Sequence, residues 1–266
     1  MTVEIDGIHF HYQEEGRGTP FFFQHGLGAD VSQPFELFRP PAGFRLLAFD
    51  CRTHGQTHPA GPDEKISFAS FADDLLALMD HLKIDRAVVG GISMGAGVAL
   101  NFALRYPERL QGLVLHRPAW LDGPREEKNG IYPTMAELIR RHGAEEGLEL
   151  FKQTTLYKSV LQKSPNTAKS FVGMFLHPRA GELAAVLERI PLDAPSRDRA
   201  AWRAISTPTL VLAGRQDPVH PFEYGEILAR EIPGAEFKEI TPKAVSVEQQ
   251  NADSQRFIED FLLKHF

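Results

Sequence analysis

Ser93 stands between Gly91 and Gly95 in the run Val88-Val89-Gly90-Gly91-Ile92-Ser93-Met94-Gly95-Ala96-Gly97, and its hydroxyl is the first group in the chain with chemistry to offer. The β-branched residues before it predict a strand, and the small residues after it predict a helix. Ser93 therefore falls in a tight strand-to-helix turn, a conformation that strains the serine backbone and leaves its hydroxyl exposed. Glycine is required on either side because strand and helix cross too closely there for a Cβ. A helix starting near Met94 also aims unpaired N–H groups at any oxygen beside Ser93. Two further stretches can contribute. His25-Gly26-Leu27-Gly28 follows an apolar run, and backbone N–H groups in such a loop can meet a developing oxyanion. Asp217 lies just past the strand-like Thr209-Leu210-Val211-Leu212-Ala213-Gly214, although Asp-Pro in general marks a turn.

The elements that must hold these groups are legible in order. Val3 to Tyr12 reads as a hairpin turning at Asp6-Gly7, the strongest short hairpin signal. His9 and His11 share one face of it, read as solvated because no third metal ligand follows at a familiar spacing. Pro20 to Gln24 is a continuous apolar run, as in a strand buried on both faces, and Phe44 to Phe49 is the next strand. Ser67 to Leu82 carries an apolar stripe at helical spacing, with Ser67 or Ser70 as its cap. Met94 to Tyr106 is a helix stopped by Pro107, and Leu110 to Leu115 is another strand. Alternating strands and helices imply a parallel sheet with helices on both faces. Ligands then bind beyond the carboxyl ends of the strands, where the His25 loop, Ser93 and His116 fall. From Arg117 to about Trp202 no strand-like run occurs. Helices are predicted at Pro133 to His142, Ala144 to Thr155, Pro165 to Leu176 and Gly181 to Ile190. The aromatic residues there, Trp120 among them, are candidates for lining a pocket, and the charged, Pro- and Gly-containing segment from Trp120 to Gly130 reads as a mobile lid.

The Ser93 turn resembles the nucleophile elbow of the α/β-hydrolase family, in its capped, lipase-, esterase- and C–C-hydrolase-like branch. Asp50-Cys51-Arg52-Thr53-His54-Gly55-Gln56-Thr57 is similar to a second family loop, in which His54 holds the loop by hydrogen bonds. The resemblance implies a single α/β-hydrolase domain with a mostly parallel eight-stranded sheet. Residues 1–116 and 203–266 would form the core, and residues 117–202 a helical cap. It further implies Ser93 as nucleophile, the N–H groups of Leu27 and Met94 as oxyanion donors and Asp217 as the acid. His25, Gly26, His116 and Trp120 would border the substrate.

The same resemblance requires a histidine shortly after the last strand, where the chain reads Ile240-Thr241-Pro242-Lys243-Ala244-Val245-Ser246. Val245 stands at that position and is expected to lie beside Ser93 and Asp217. A serine without its base is a weak nucleophile, and in another serine enzyme deleting the histidine costs on the order of 10⁶ in turnover. His116 and His177 are the best placed substitutes, with His25 behind them. The reading is a hydrolase of a small, fairly apolar ester, lactone or carbonyl compound with an atypical triad. The alternatives are a small-molecule-binding protein on the same fold and a base-deleted hydrolase variant.

Composition narrows the remaining classes. The chain has 266 residues and a net charge of -6, with no basic patch for nucleic acid. Its one cysteine, Cys51, excludes an intramolecular disulfide framework and fits a reducing compartment. No signal pattern or membrane-length apolar run is present. The expectation is a cytoplasmic monomer or homodimer that needs neither metal nor organic cofactor.

Overall fold

The computed structural model describes residues 1–125 and 130–266. Its strands are β1 (Thr2–Ile5), β2 (Ile8–Gly16), β3 (Gly18–Gln24), β4 (Gly43–Phe49), β5 (Ala87–Ile92), β6 (Leu110–His116), β7 (Thr209–Ala213) and β8 (Glu236–Glu239). They form one eight-stranded sheet in the order β1-β2-β4-β3-β5-β6-β7-β8. β2 pairs antiparallel with β1 and β4, and every later pairing is parallel. The sheet is thus mostly parallel, as the alternation of elements implies.

Alternating residues of the central strands explain why the runs are apolar throughout. Phe22, Leu47, Val89, Leu113 and Val211 face one helical layer, which holds α2 (Phe68–His81) and α3 (Met94–Arg105). Phe21, Phe23, Leu46, Val88, Val114, Leu210 and Leu212 face the other, against Ile258 and Phe261 of α9 (Val247–His265). A strand sandwiched in this way has no solvent face to make polar. Each fully buried Phe or Leu contributes about 1.5–3 kcal/mol, so these two layers fix where every strand end lies.

α2 begins at Ser67, whose side chain accepts the N–H of Ser70. That bond satisfies one of the donors a helix start leaves open. Ser67→Ala is expected to lower stability by about 1 kcal/mol, read from urea denaturation. No change would mean that solvent caps this helix equally well.

Between β6 and β7 lie α4 (Ile131–Gln153), α5 (Thr155–Lys163), α6 (Pro165–Phe175) and α7 (Ala180–Arg189). Gly143, at φ 76° and ψ 174°, breaks α4 internally, so it comprises the two helical stretches read on either side of that glycine. The sequence reading missed α5, a short helix with no fully buried residue, and also α1 (Ser32–Leu37). Part of the expected lid, residues 126–129, lies outside the described residues. The expectation for His11 needs correcting. It is buried, with Nδ1 2.9 Å from Asp50 Oδ2, because β2 continues past the hairpin into the main sheet.

Candidate active site

Ser93 links β5 to α3 with φ 57° and ψ −108°, a left-handed φ that is strained for a residue with a Cβ. Its N–H donates to His116 O at 3.0 Å, which anchors the turn to the neighbouring strand. The glycines around it are sterically obligatory. A Cβ on Gly91 would lie 2.4 Å from Gly95 C, and one on Gly95 would lie 2.2 Å from Gln24 O. The first-turn N–H groups of α3, that of Met94 included, have no intrahelical acceptor. The Gly26 loop runs alongside, since a Cβ on Gly26 would stand 3.6 Å from Ser93 Cβ. Gly26 N–H donates to Gln33 Oε1 at 2.8 Å, and this bond fixes the loop that carries the Leu27 amide.

Ser93 opens on a cavity of about 90 Å³. Gly26, Leu27, Ile92 and Val219 line it from the strand ends, and Tyr132, Thr167, Phe171 and Met174 from the helices between β6 and β7. Polar groups reach it too: Gln33, Arg117, Ser170, His220 and Lys243.

Behind the cavity wall, Asp217 is satisfied on every side. Its Oδ1 accepts the N–H groups of Val219 at 2.9 Å and His220 at 3.1 Å. Its Oδ2 accepts from Arg117 Nη2 at 2.5 Å and Nε at 3.2 Å, and faces His220 Nδ1 at 2.9 Å. Burial alone would raise the Asp217 pKa, but His220 and Arg117 outweigh it and hold the carboxyl well below its usual range. Burial, then Arg117, push His220 down to about 4 against the pull of Asp217. Lys243 is lowered by burial and by Arg117, and its Nζ lies 3.4 Å from Ser170 Oγ. Among the described residues, no group of three or more His, Cys, Asp or Glu side chains could hold a metal ion.

Residues 19–244 match the family model described as alpha/beta hydrolase fold. The chain belongs to the α/β-hydrolase family. It is 28% identical to 3-oxoadipate enol-lactonase 2 of Acinetobacter baylyi, over 94% of this chain and 92% of that one. It is also 28% identical to a 2-hydroxymuconate semialdehyde hydrolase of Pseudomonas putida, over 96% and 91%. Among solved structures, a thermophilic esterase from Thermogutta terrifontis superposes with a TM-score of 0.74 at 28% identity, covering 100% of this chain and 97% of that one.

Several residues that the α/β-hydrolase resemblance drew toward the pocket lie elsewhere. Val245 is 66% exposed and does not line the cavity. Its N–H donates to Pro242 O, and this turn leaves Lys243, two residues earlier, as the side chain that enters. His25 is fully buried behind the loop, with Nδ1 2.9 Å from Gly26 O and Nε2 accepting Cys51 N–H at 3.0 Å. His116 turns away from the cavity, and its Nε2 meets Ser254 Oγ of α9 at 2.9 Å. Trp120 packs edge-on against Phe68 in the core, ring centroids 5.1 Å apart. His177 accepts Arg179 N–H at 3.1 Å and does not line the cavity. Of His25, Gly26, His116 and Trp120, only Gly26 borders the space, joined there by Ser93 and Leu27, whereas Tyr132 and Phe171, among the aromatic residues read between β6 and β7, do line it. The sequence reading missed Arg117, His220 and Lys243. A signal for His220 was present in its spacing, three residues after Asp217, where an aspartate-initiated turn folds the chain back over the carboxylate.

Proposed function

We propose that this α/β-hydrolase cleaves a small ester or lactone through Ser93, with the N–H groups of Leu27 and Met94 stabilising the oxyanion. The observation that carries the reading is the strained Ser93 turn at the head of α3, opening on the cavity between the strand ends and the helices that follow β6. A non-glycine residue at φ 57° persists only where the surroundings enforce it, and such strain gathers at active sites. The relatives named as an enol-lactonase, a semialdehyde hydrolase and an esterase support hydrolysis at a carbonyl carbon. The helices between β6 and β7 act as a cap: Phe171 and Met174 give the cavity an apolar wall, suited to a short acyl chain. Arg117, a positioning residue, keeps Asp217 ionised and in place.

The reading is tested with a fluorophosphonate probe followed by mass spectrometry. The label is expected on Ser93 and absent from Ser93→Ala. Hydrolysis of p-nitrophenyl acetate is expected to fall about 10³-fold or more in that variant. A folded protein that takes no label and cleaves no activated ester would instead make the cavity a binding pocket.

A further inference from the structure

We propose that His220, clamped by Asp217, is the general base that serves Ser93, so that acid and base both ride on the loop after β7. The inference rests on the Ser93 reading and supplies the base that the loop after β8 lacks. Three observations carry it. His220 and Ser93 line the same cavity of about 90 Å³. The His220 side chain is 11% exposed, and its buried Nε2 has no hydrogen-bond partner among the described residues. Its other nitrogen, Nδ1, lies 2.9 Å from Asp217 Oδ2. A buried polar atom left without a partner is costly, and beside a cavity that cost is recovered when the bond is made to something that enters.

The tautomer follows from the partners. Nδ1 lies 2.9 Å from both Asp217 Oδ2 and Arg117 Nη2. The carboxylate is the stronger acceptor, and a charge-assisted bond to it fixes the proton on Nδ1. The approach of Arg117 results from guanidinium and imidazole converging on one oxygen. Nε2 then carries the lone pair, as in an acid–imidazole–serine relay.

Nε2 takes the Ser93 hydroxyl proton as Oγ bonds to the substrate carbonyl carbon, and the carbonyl electrons move to the oxygen held by Leu27 and Met94 N–H. Collapse of that intermediate breaks the acyl C–O bond, and the imidazolium returns its proton to the leaving alkoxide. Nε2 next deprotonates a water that attacks the acyl carbon, and the proton passes to Ser93 Oγ as the acid leaves. Nε2 and Oγ are not hydrogen-bonded before substrate enters. Such bonds commonly tighten only once substrate is bound, or run through one water.

The charged groups facing His220 are Arg117 and Asp217 beside it, with Arg125 and His116 further off, and Lys243 shares the cavity. The net effect keeps His220 neutral well into the acid range. The wild-type initial rate is therefore expected to stay level from pH 7.5 to 5.5, where an imidazole titrating at about 6.5 would lose roughly tenfold.

The experiment compares wild type, Ser93→Ala, His220→Gln, His220→Ala and Lys243→Met on p-nitrophenyl acetate, with fluorophosphonate labelling rates and a thermal melt for each. For His220→Gln, kcat is expected to fall by about 100-fold or more with little change in KM, and labelling to slow in step. Added imidazole is expected to restore part of the rate in His220→Ala, a recovery that mere loss of structure would not allow. If Ser93→Ala is inactive while folded His220→Gln keeps the wild-type kcat, His220 is not the base and the Ser93 reading stands. Loss of kcat in Lys243→Met with His220→Gln intact would pass the role to Lys243. A wild type inert to ester and probe overturns both readings together. If neither His220 variant folds, Asp217→Asn decides: a folded Asp217→Asn protein that keeps the wild-type kcat overturns the inference, because the imidazole would then act without the carboxylate that orients it.

Discussion

Lowering the pH from 7.5 to 5 at 25 °C is expected to remove about 2 kcal/mol or more of folding stability, measured by urea denaturation. Four buried histidines drive the effect: His25, His54, His116 and His220, all with pKa values lowered first by burial. In the unfolded chain each titrates near 6.5. Between that value and the lower native one, the unfolded state binds a proton that the native state refuses, so stability falls as pH falls. The contribution is fully present above about pH 6.5 and is lost progressively below it. For His220, whose native value is about 4, the loss at pH 5 is about 2 kcal/mol. The other three act in the same direction. Two of them show why protonation is resisted. His25 Nε2 accepts Cys51 N–H, and His54 Nε2 accepts Gly28 N–H at 3.2 Å. Their Nδ1 atoms lie on the carbonyls of Gly26 and Arg52, so both rings are locked as neutral donor–acceptors. A proton on either Nε2 would break a bond that ties the Gly26–Gly28 loop to the loop after β4, and the Leu27 amide would move with it. Asp217 adds a second stage, since its lowered pKa gives stability present above about pH 4 and lost below. Stability unchanged or higher at pH 5 would contradict the neutral assignments.

The same residues show what a sequence displays and what it hides. The Ser93 turn was legible because its causes are local: a β-branched strand, two glycines where backbones cross, and small residues opening a helix. The sheet was legible because both faces of each central strand are buried, which leaves an unbroken apolar run. The base was not. Counting residues past β8 selected Val245, but side-chain direction in an irregular turn is set by hydrogen bonds such as that of Val245 N–H to Pro242 O, which sequence spacing does not encode. His116 and Arg117 are neighbours at the end of β6, and the chain sends His116 to Ser254 and Arg117 to Asp217. Both were equally eligible as letters. His25 and His54 carry polar rings that suggest chemistry, yet backbone N–H and carbonyl groups occupy all four of their nitrogens. His220 was hidden for the opposite reason, because Asp-Pro-Val-His reads as an ordinary turn until Arg117, a hundred residues earlier, arrives at the same carboxylate.

Gly95→Ala is expected to cost about 3 kcal/mol or more and to abolish labelling at Ser93, whereas Gly173→Ala is expected to stabilise the protein by about 0.5–1 kcal/mol. Both glycines lie in helices, and helix propensity alone would favour alanine at each. Surroundings separate them. A Cβ on Gly95 would meet Gln24 O at 2.2 Å, Gln24 C at 2.7 Å and His25 O at 2.8 Å. All three are backbone atoms at the end of β3, held by the sheet and by the buried His25, so no side chain can rotate out of the way. Relief requires α3 to move off the strand ends. That movement opens the core around Val98, Ala99 and Phe102 and shifts the Met94 amide away from the oxygen it would stabilise. Gly173 lies on the exposed side of α6, where the added methyl would meet no atom of the described residues within 4 Å beyond its chain neighbours and the helix's own backbone. There alanine simply narrows the unfolded ensemble and favours the helix. Urea denaturation of both variants, with fluorophosphonate labelling of the folded fraction, separates the two effects. A Gly95→Ala protein that is as stable as wild type and still labels at Ser93 would show that α3 does not need its close approach to β3, and the steric account of the turn would fail with it.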